Sequence, residues 1–332
     1  MMAQAEWQEM ADRVRNWGRW GADDQLGTLN FITPDRIARA AHSVRRGARF
    51  SLAIPVDAYG PQGAHGYRRN PIHMMSLDGG DENANRALRE WEAGGQQEQD
   101  ITGLWETGPL RWNDDMIIMP LQAGTQWDGL AHVYYDGRLY NGYPASTVTS
   151  AGATRDGIDH VGRAGGIMGR GVLLDVARHL KVQRLEPGHV IGADLLDEVI
   201  DAQSVKIEEG DILVIRTGWW THFVEHRDGD AWLAESPGVS WKVAEWLHGH
   251  RIGAIASDNI AVEVITPEVE NHFLLFHLLA IRDMGMSLGE IWDLEALSED
   301  CAEDGIYEFF LTTAPLIVPG GIGSPINPVA IK

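Results

Sequence analysis

Four residues in the segment QAGTQWDGLAH, running from Gln122 to His132, carry functional groups at gaps of four, two and four: Gln122, Gln126, Asp128 and His132. A carboxylate and an imidazole four residues apart can share a proton, a water or a metal ion, and two carboxamides beside them can hold a polar substrate. Gly124 and Gly129 let the backbone turn close to a ligand, so a loop or bulged strand can bring all four side chains onto one wall. The same letters also describe a polar loop around a hydrogen-bonded histidine. Spacing alone leaves both readings open.

Three other motifs carry less. Gly285-Met-Ser287-Leu-Gly289 matches the nucleophile elbow GxSxG, but a helical pattern precedes it and no histidine follows, His277 being the last in the chain. His222-Phe-Val-Glu225-His226 matches the zinc-protease pattern HxxEH. In a chain with 13 histidines so short a match arises easily, and a polar turn after the strand at 212–216 is expected there. The glycines from Gly162 to Gly171 precede a strand instead of following one, which is the wrong order for a phosphate-binding loop, so they read as tight turns.

Short β-branched runs bounded by Gly or Asp place buried strands at 116–119 (MIIM), 172–176, 212–216 and 252–256. Further strands are expected at FSLAI (50–54), EFFLTT and PLIV. Helices are expected from Pro34, capped by Thr33 and ended by Gly47; from Ala193; from Ser240 to His248; and through NHFLLFHLLAIRDM, which Gly285 closes. Strands interleaved with helices give an α/β fold with a mixed sheet. Residues from 55 to about 115, rich in Gly, Asn, Asp, Gln and Arg, read as long irregular loops of the kind that carry specificity. The expected division is an N-terminal helical and loop extension, 1–110, packed on a core, 111–332.

Composition narrows the partners. A net charge of −21 repels nucleic acid and anionic membranes, which leaves a small neutral or cationic molecule as the expected substrate. The single cysteine, Cys301, excludes an intramolecular disulfide. The first residues lack the apolar core of a secretory signal and no apolar stretch reaches a membrane-spanning length, so the cytoplasm is the expected location.

The segment from Gln122 to His132 resembles the signature HxGTHxDxPxH of the metal-dependent cyclase-like hydrolases, a family that includes bacterial kynurenine formamidase and isatin hydrolase. RGVLLDV, EGDILVIRTGW, SPGVSWKVAEWLHGHRIGAIASDN, HLLAIRDMGMSLGEIWDLEAL and APLIVPGGIGSPINPVAI follow in the order of that family's later blocks, and RNPIHMM at 69–75 is similar to a mark of its large subfamily. The resemblance implies the family's swivelling β/β/α arrangement and a homodimer or homotetramer. It also implies hydrolysis of an acyl C–N or C–O bond in a small cyclic amide, imide or lactone. Carried over position by position, it makes Asp128 a metal ligand and catalytic residue, His132 the general acid/base, and His277 and Glu290 the second pair of ligands. His73 and Trp127 are then expected to line the same pocket.

This chain departs from the signature at Gln122 and Gln126, which stand where the family has histidine ligands. A carboxamide oxygen is a harder and weaker donor than imidazole. Three outcomes follow: one metal held by Asp128, His277 and Glu290; a harder ion such as Mn²⁺ or Mg²⁺ in place of Zn²⁺; or a metal-free site whose glutamines bind substrate. One divalent ion (Mn, Zn or Mg), with Gln122 and Gln126 binding substrate, is the reading taken forward. The competing reading is a degenerate member that binds a small molecule without metal chemistry.

Overall fold

The runs LLD, ILVI and AIAS are buried at every residue, the pattern of strands covered on both faces. They form the centre of a nine-stranded mixed sheet in the computed structural model, which describes residues 2–80 and 112–332. Residues 81–111 of the expected loops, and with them the expected boundary at 110, lie outside the described residues.

The sheet strands are β1 (Arg49–Ser51), β4 (Gln126–Asp128), β7 (Ile167–Asp175), β9 (Ile212–Arg216), β11 (Ala254–Ser257), β12 (Leu288–Glu290), β13 (Glu308–Thr313), β14 (Gly323–Pro325) and β15 (Val329–Ile331). They lie in the order β1-β15-β13-β7-β9-β11-β12-β4-β14. The central four, β7, β9, β11 and β12, run parallel, and the flanking strands pair antiparallel. Three two-stranded pairs stand apart: β2 (Ile72–Leu77) with β3 (Asp114–Ile118), β5 (Val148–Thr149) with β6 (Gly152–Ala153), and β8 (Val190–Ile191) with β10 (Gly238–Val239).

Strand alternation splits the core in two. Val172, Leu174, Leu213, Ile215, Ile255 and Leu288 face helices, whereas Leu173, Ile212, Val214, Ala254 and Ala256 face Trp127, Trp292, Phe309 and Leu311. The helical layer includes Met2–Val14, Ala193–Gln203 and Val243–His250. In the first of these, Trp7, Met10, Ala11 and Val14 recur at helical spacing and are buried in the same layer. The N-terminal helix therefore packs into the helical side of the core.

Four local expectations are corrected. The run MIIM belongs to β3, whose residues are all exposed; with β2 it forms a ribbon presenting Ile72, Met74, Met75, Met116, Ile117 and Ile118 outward. Apolar composition identified the strand but not which layer it joins. PLIV is irregular, its chain running past Ser324, whose hydroxyl accepts from Leu316 N. The helix capped by Thr33 stops at Ala41, well before Gly47. HxxEH lies on a helix, Trp219–His226, where a turn was expected. Among the described residues no helix is long and apolar enough to cross a membrane.

Candidate metal centre and active site

Three residues of β4 set the geometry. Alternation sends Gln126 and Asp128 to one face and Trp127 to the other, where its indole packs edge-on against Trp292 and donates to Thr313 Oγ1 at 2.9 Å. Trp127 is thus a core residue, and the expectation that it lines the pocket is overturned by strand parity. Thr125 anchors the strand's entrance, accepting from Ile54 N at 2.9 Å and donating to the Ile291 carbonyl at 2.5 Å.

Strand register explains the next contact. Gln126 lies directly opposite Glu290 on β12, and its Nε2 donates to Glu290 Oε2 at 2.5 Å. Gly289 allows that approach, because a Cβ there would stand 2.6 Å from Ala256 and 2.9 Å from Trp127. Asp128 is fully buried, and neither of its oxygens has a hydrogen-bond partner; Gln126 Oε1 is equally orphaned. Buried polar oxygens without partners are costly, so three of them together mark a place built for something else.

His277 completes the cluster. Its Nε2 lies 3.2 Å from Glu290 Oε1 and 3.9 Å from Asp128 Oδ2, while its Nδ1 lies 2.5 Å from Glu263 Oε1. Glu263 also accepts from the backbone N–H groups of Phe276 and His277, fixing both the ring and the start of its helix. No signature position marks that carboxylate, although an acid inside the apolar run IAVEVI is itself a signal. Beside each carboxylate that holds His277 stands a β-branched residue in the left-handed region, Val262 and Ile291, both at φ 59°. Such conformations cost roughly 1–3 kcal/mol each and collect at functional sites.

Ligating atoms of Asp128, His277 and Glu290 all lie within 4.8 Å of one another, the one such group found among the described residues. With the orphaned Gln126 Oε1 they offer three oxygens and one nitrogen, a donor set that fits a divalent ion and leans toward a hard one. Electrostatics agree. Burial, followed by repulsion from Glu290, holds the Asp128 carboxyl well above its ordinary range. Burial alone would lower His277, but its hydrogen bonds to Glu263 and Glu290 raise it to about 10. Both effects follow from carboxylates crowded around one buried imidazole, an environment that favours a positive charge at the cluster.

His132 follows β4 in a loop, with Nε2 at 3.8 Å from Asp128 Oδ1, beside the cluster but outside hydrogen-bond reach. Burial, then the positive fields of His277 and Arg68, lower its pKa to about 3, leaving the imidazole neutral. A cavity of about 240 Å³ opens on His132, His277 and Glu290, with Gln62, Tyr67, Arg68, Leu233, Ile260 and Phe273 on its walls. A larger, more open cleft of about 820 Å³ next to it, bounded by Asp57, Phe223 and Asp230, holds no such cluster.

Two expected members lie elsewhere. Gln122 packs against Gly323 and is not part of the cavity wall; its Nε2 would sit 2.8 Å from a Cβ placed on that glycine. His73 is on the exposed β2–β3 ribbon, its Nε2 2.7 Å from Asp115 Oδ2. Ser287 is buried and runs directly into β12, with no helix after it. In the HxxEH helix, Glu225 bonds to Gln183 and Arg184 while His222 stacks on Trp219 and His226, so the acid and the imidazoles do not converge.

The loop carrying His132 rests on Asp156, whose carbonyl accepts from Ala131 N. Its carboxylate is buried without a partner, and burial, then repulsion from Asp24, raises its pKa to about 8. A carboxyl raised in the folded state contributes stability that is complete below its ordinary value of 3.8 and is lost as pH rises toward about 8. Asp156→Asn keeps the left-handed backbone at φ 60° accessible. Its melting temperature is expected to match wild type near pH 4 and exceed it at pH 8, by the equivalent of a few kcal/mol. A gap independent of pH would refute this.

Residues 50–264 match the model of the Cyclase family, described as "Putative cyclase", and the chain belongs to this family. A crystal structure described as a novel cyclase is 40% identical, with TM-score 0.82, covering 96% of this chain and all of that one. Isatin hydrolase A from Ralstonia solanacearum is 16% identical, with TM-score 0.60, covering 88% of this chain and 94% of its own. An isatin hydrolase bound to the product analogue thioisatinate is 17% identical, with TM-score 0.58, covering 89% and 95%. At those identities the isatin hydrolases speak to the fold, which is the mixed α/β arrangement expected from interleaved strands and helices. Among the curated proteins none matches.

Proposed function

We propose that this chain is a metal-dependent hydrolase that cleaves the acyl C–N or C–O bond of a small cyclic amide, imide or lactone. The observation that carries the reading is the set of orphaned buried oxygens, two on Asp128 and one on Gln126, facing His277 and Glu290. The isatin hydrolases that share the fold are named for a cyclic amide, which favours the same bond type.

Asp128, His277 and Glu290 would hold one divalent ion, with Gln126 Oε1 available to the ion or to a substrate N–H. An ion bound there supplies Lewis acidity toward a carbonyl oxygen and toward water. His132 takes the proton of the attacking water as the new C–O bond forms and returns it to the departing nitrogen or oxygen, whose acyl bond then breaks in the collapse of the tetrahedral adduct. Glu263 keeps Nε2 of His277 turned toward the cluster. Leu233, Ile260 and Phe273 line the same cavity and would contact the apolar body of a substrate.

The replacement of two signature histidines by Gln122 and Gln126 favours one second reading, a pocket retained for binding alone. Elemental analysis of protein purified without chelator, followed by a screen of formamides, cyclic imides and lactones, separates them. Near-stoichiometric Mn, Mg or Zn with turnover of one class is expected. Silence across all three classes in metal-supplemented buffer would favour the binder.

A further inference from the structure

We propose that Arg68 is the anion-binding residue of this cavity, receiving a carboxylate that an otherwise apolar ligand carries or that its hydrolysis releases. The inference rests on the cavity being the catalytic one and adds to it the chemical class of the ligand. Arg68 stands on the wall of the cavity that Tyr67, Leu233, Ile260, Phe273, His132 and Glu290 also line. In a chain with 48 acidic residues against 27 basic, it forms an ion pair with none of them among the described residues.

Arginines with structural roles here look different. Arg170, Arg178 and Arg216 each bond to at least one buried carboxylate. Among the described residues Arg68 makes a single long hydrogen bond, Nη1 to the Gln122 carbonyl at 3.4 Å, and it rests 5.4 Å over the Tyr67 ring. Most of its five N–H donors are left unused, in a planar fork that matches a carboxylate. Among the described residues lining the cavity it is the only one with a permanent positive charge, and its field reaches both Asp128 and His132. The apolar side chains next to it suit an aryl or alkyl body of modest size. In a chain of net charge −21, an anionic ligand needs such a local cation to enter at all.

The test pairs benzoate with its neutral isostere benzamide, titrated calorimetrically into the metal-loaded wild type, Arg68→Met and Arg68→Lys. Wild type is expected to prefer benzoate. Arg68→Met should weaken benzoate by at least about tenfold while leaving benzamide nearly unchanged, and Arg68→Lys should restore part of the loss. Equal benzoate affinity in wild type and Arg68→Met, or no preference for benzoate in wild type, overturns the proposal.

A kinetic arm with dihydrocoumarin and a carboxylated dihydrocoumarin identifies the source of the anion. If kcat/KM in Arg68→Met falls for the carboxylated lactone alone, the substrate carries the carboxylate. If both lactones are affected alike and product inhibition is relieved, hydrolysis releases it. Should neither lactone turn over, the hydrolase reading is in question, while the benzoate titration still decides the role of Arg68.

Discussion

A His132→Ala variant is expected to turn over an accepted substrate about 10²–10⁴-fold more slowly than wild type, with metal content and melting temperature close to wild type. The separation of activity from stability follows from what the imidazole touches. Its ring makes no hydrogen bond among the described residues, and its nearest charged neighbour, Asp128 Oδ1, is 3.8 Å away. Truncation therefore leaves no buried donor or acceptor newly unpaired, and it removes a ring at the cavity surface that no hydrogen bond ties to the fold. Whatever is lost must be lost from proton transfer. Steady-state kinetics alongside elemental analysis and a thermal melt check all three quantities on one sample. Unchanged turnover would mean that another group moves the proton, whereas a parallel fall in metal content would make His132 a support of the cluster.

The parts of the fold that are periodic were legible in the sequence, and the parts set by register were not. ILVIR and the helix Ala193–Gln203 appear where composition placed them, because two-sided burial and 3.6-residue spacing are properties of a short window. MIIM shows the limit: its residues are strand-forming, yet whether a strand joins the central sheet or an outlying ribbon depends on partners far away in sequence. Trp127 failed for a related reason. The motif gave its neighbours functional roles, but β4 has a period of two, so a residue between Gln126 and Asp128 must face the core.

The site divides in the same way. Asp128, His132, His277 and Glu290 were named through the likeness of ordered blocks to a known signature, and the fold brings all four to one cavity or its floor. What no spacing rule contained was the contact between Gln126 and Glu290, 164 residues apart and joined only by the register of two short strands. Glu263 and Arg68 were missed because neither belongs to the signature, although each leaves a local trace: an acid inside an apolar run, and a basic pair just before NPIHMM. His73, from that same stretch, lies on the ribbon and away from the cavity.

Asp128→Asn is expected to move stability and activity in opposite directions. The wild-type carboxylate is fully buried, has no hydrogen-bond partner, and faces a second carboxylate on Glu290. In the absence of metal the folded chain must either hold that charge out of water or keep the group protonated, and each option costs free energy. Asparagine has nearly the same shape, carries no charge, and offers an amide that can donate to Glu290. In chelator, then, the variant should melt higher than wild type. Adding Mn²⁺ should raise the wild-type melting temperature, because an ion bound only by the folded state stabilises it, while the variant should respond weakly and turn over substrate at a small fraction of the wild-type rate. If Asp128 were a structural carboxylate, the variant would melt lower in chelator and keep its activity. That result would remove the metal centre from the proposed mechanism. The expected pattern would instead show that the fold sustains an unfavourable residue at this position because the reaction requires it.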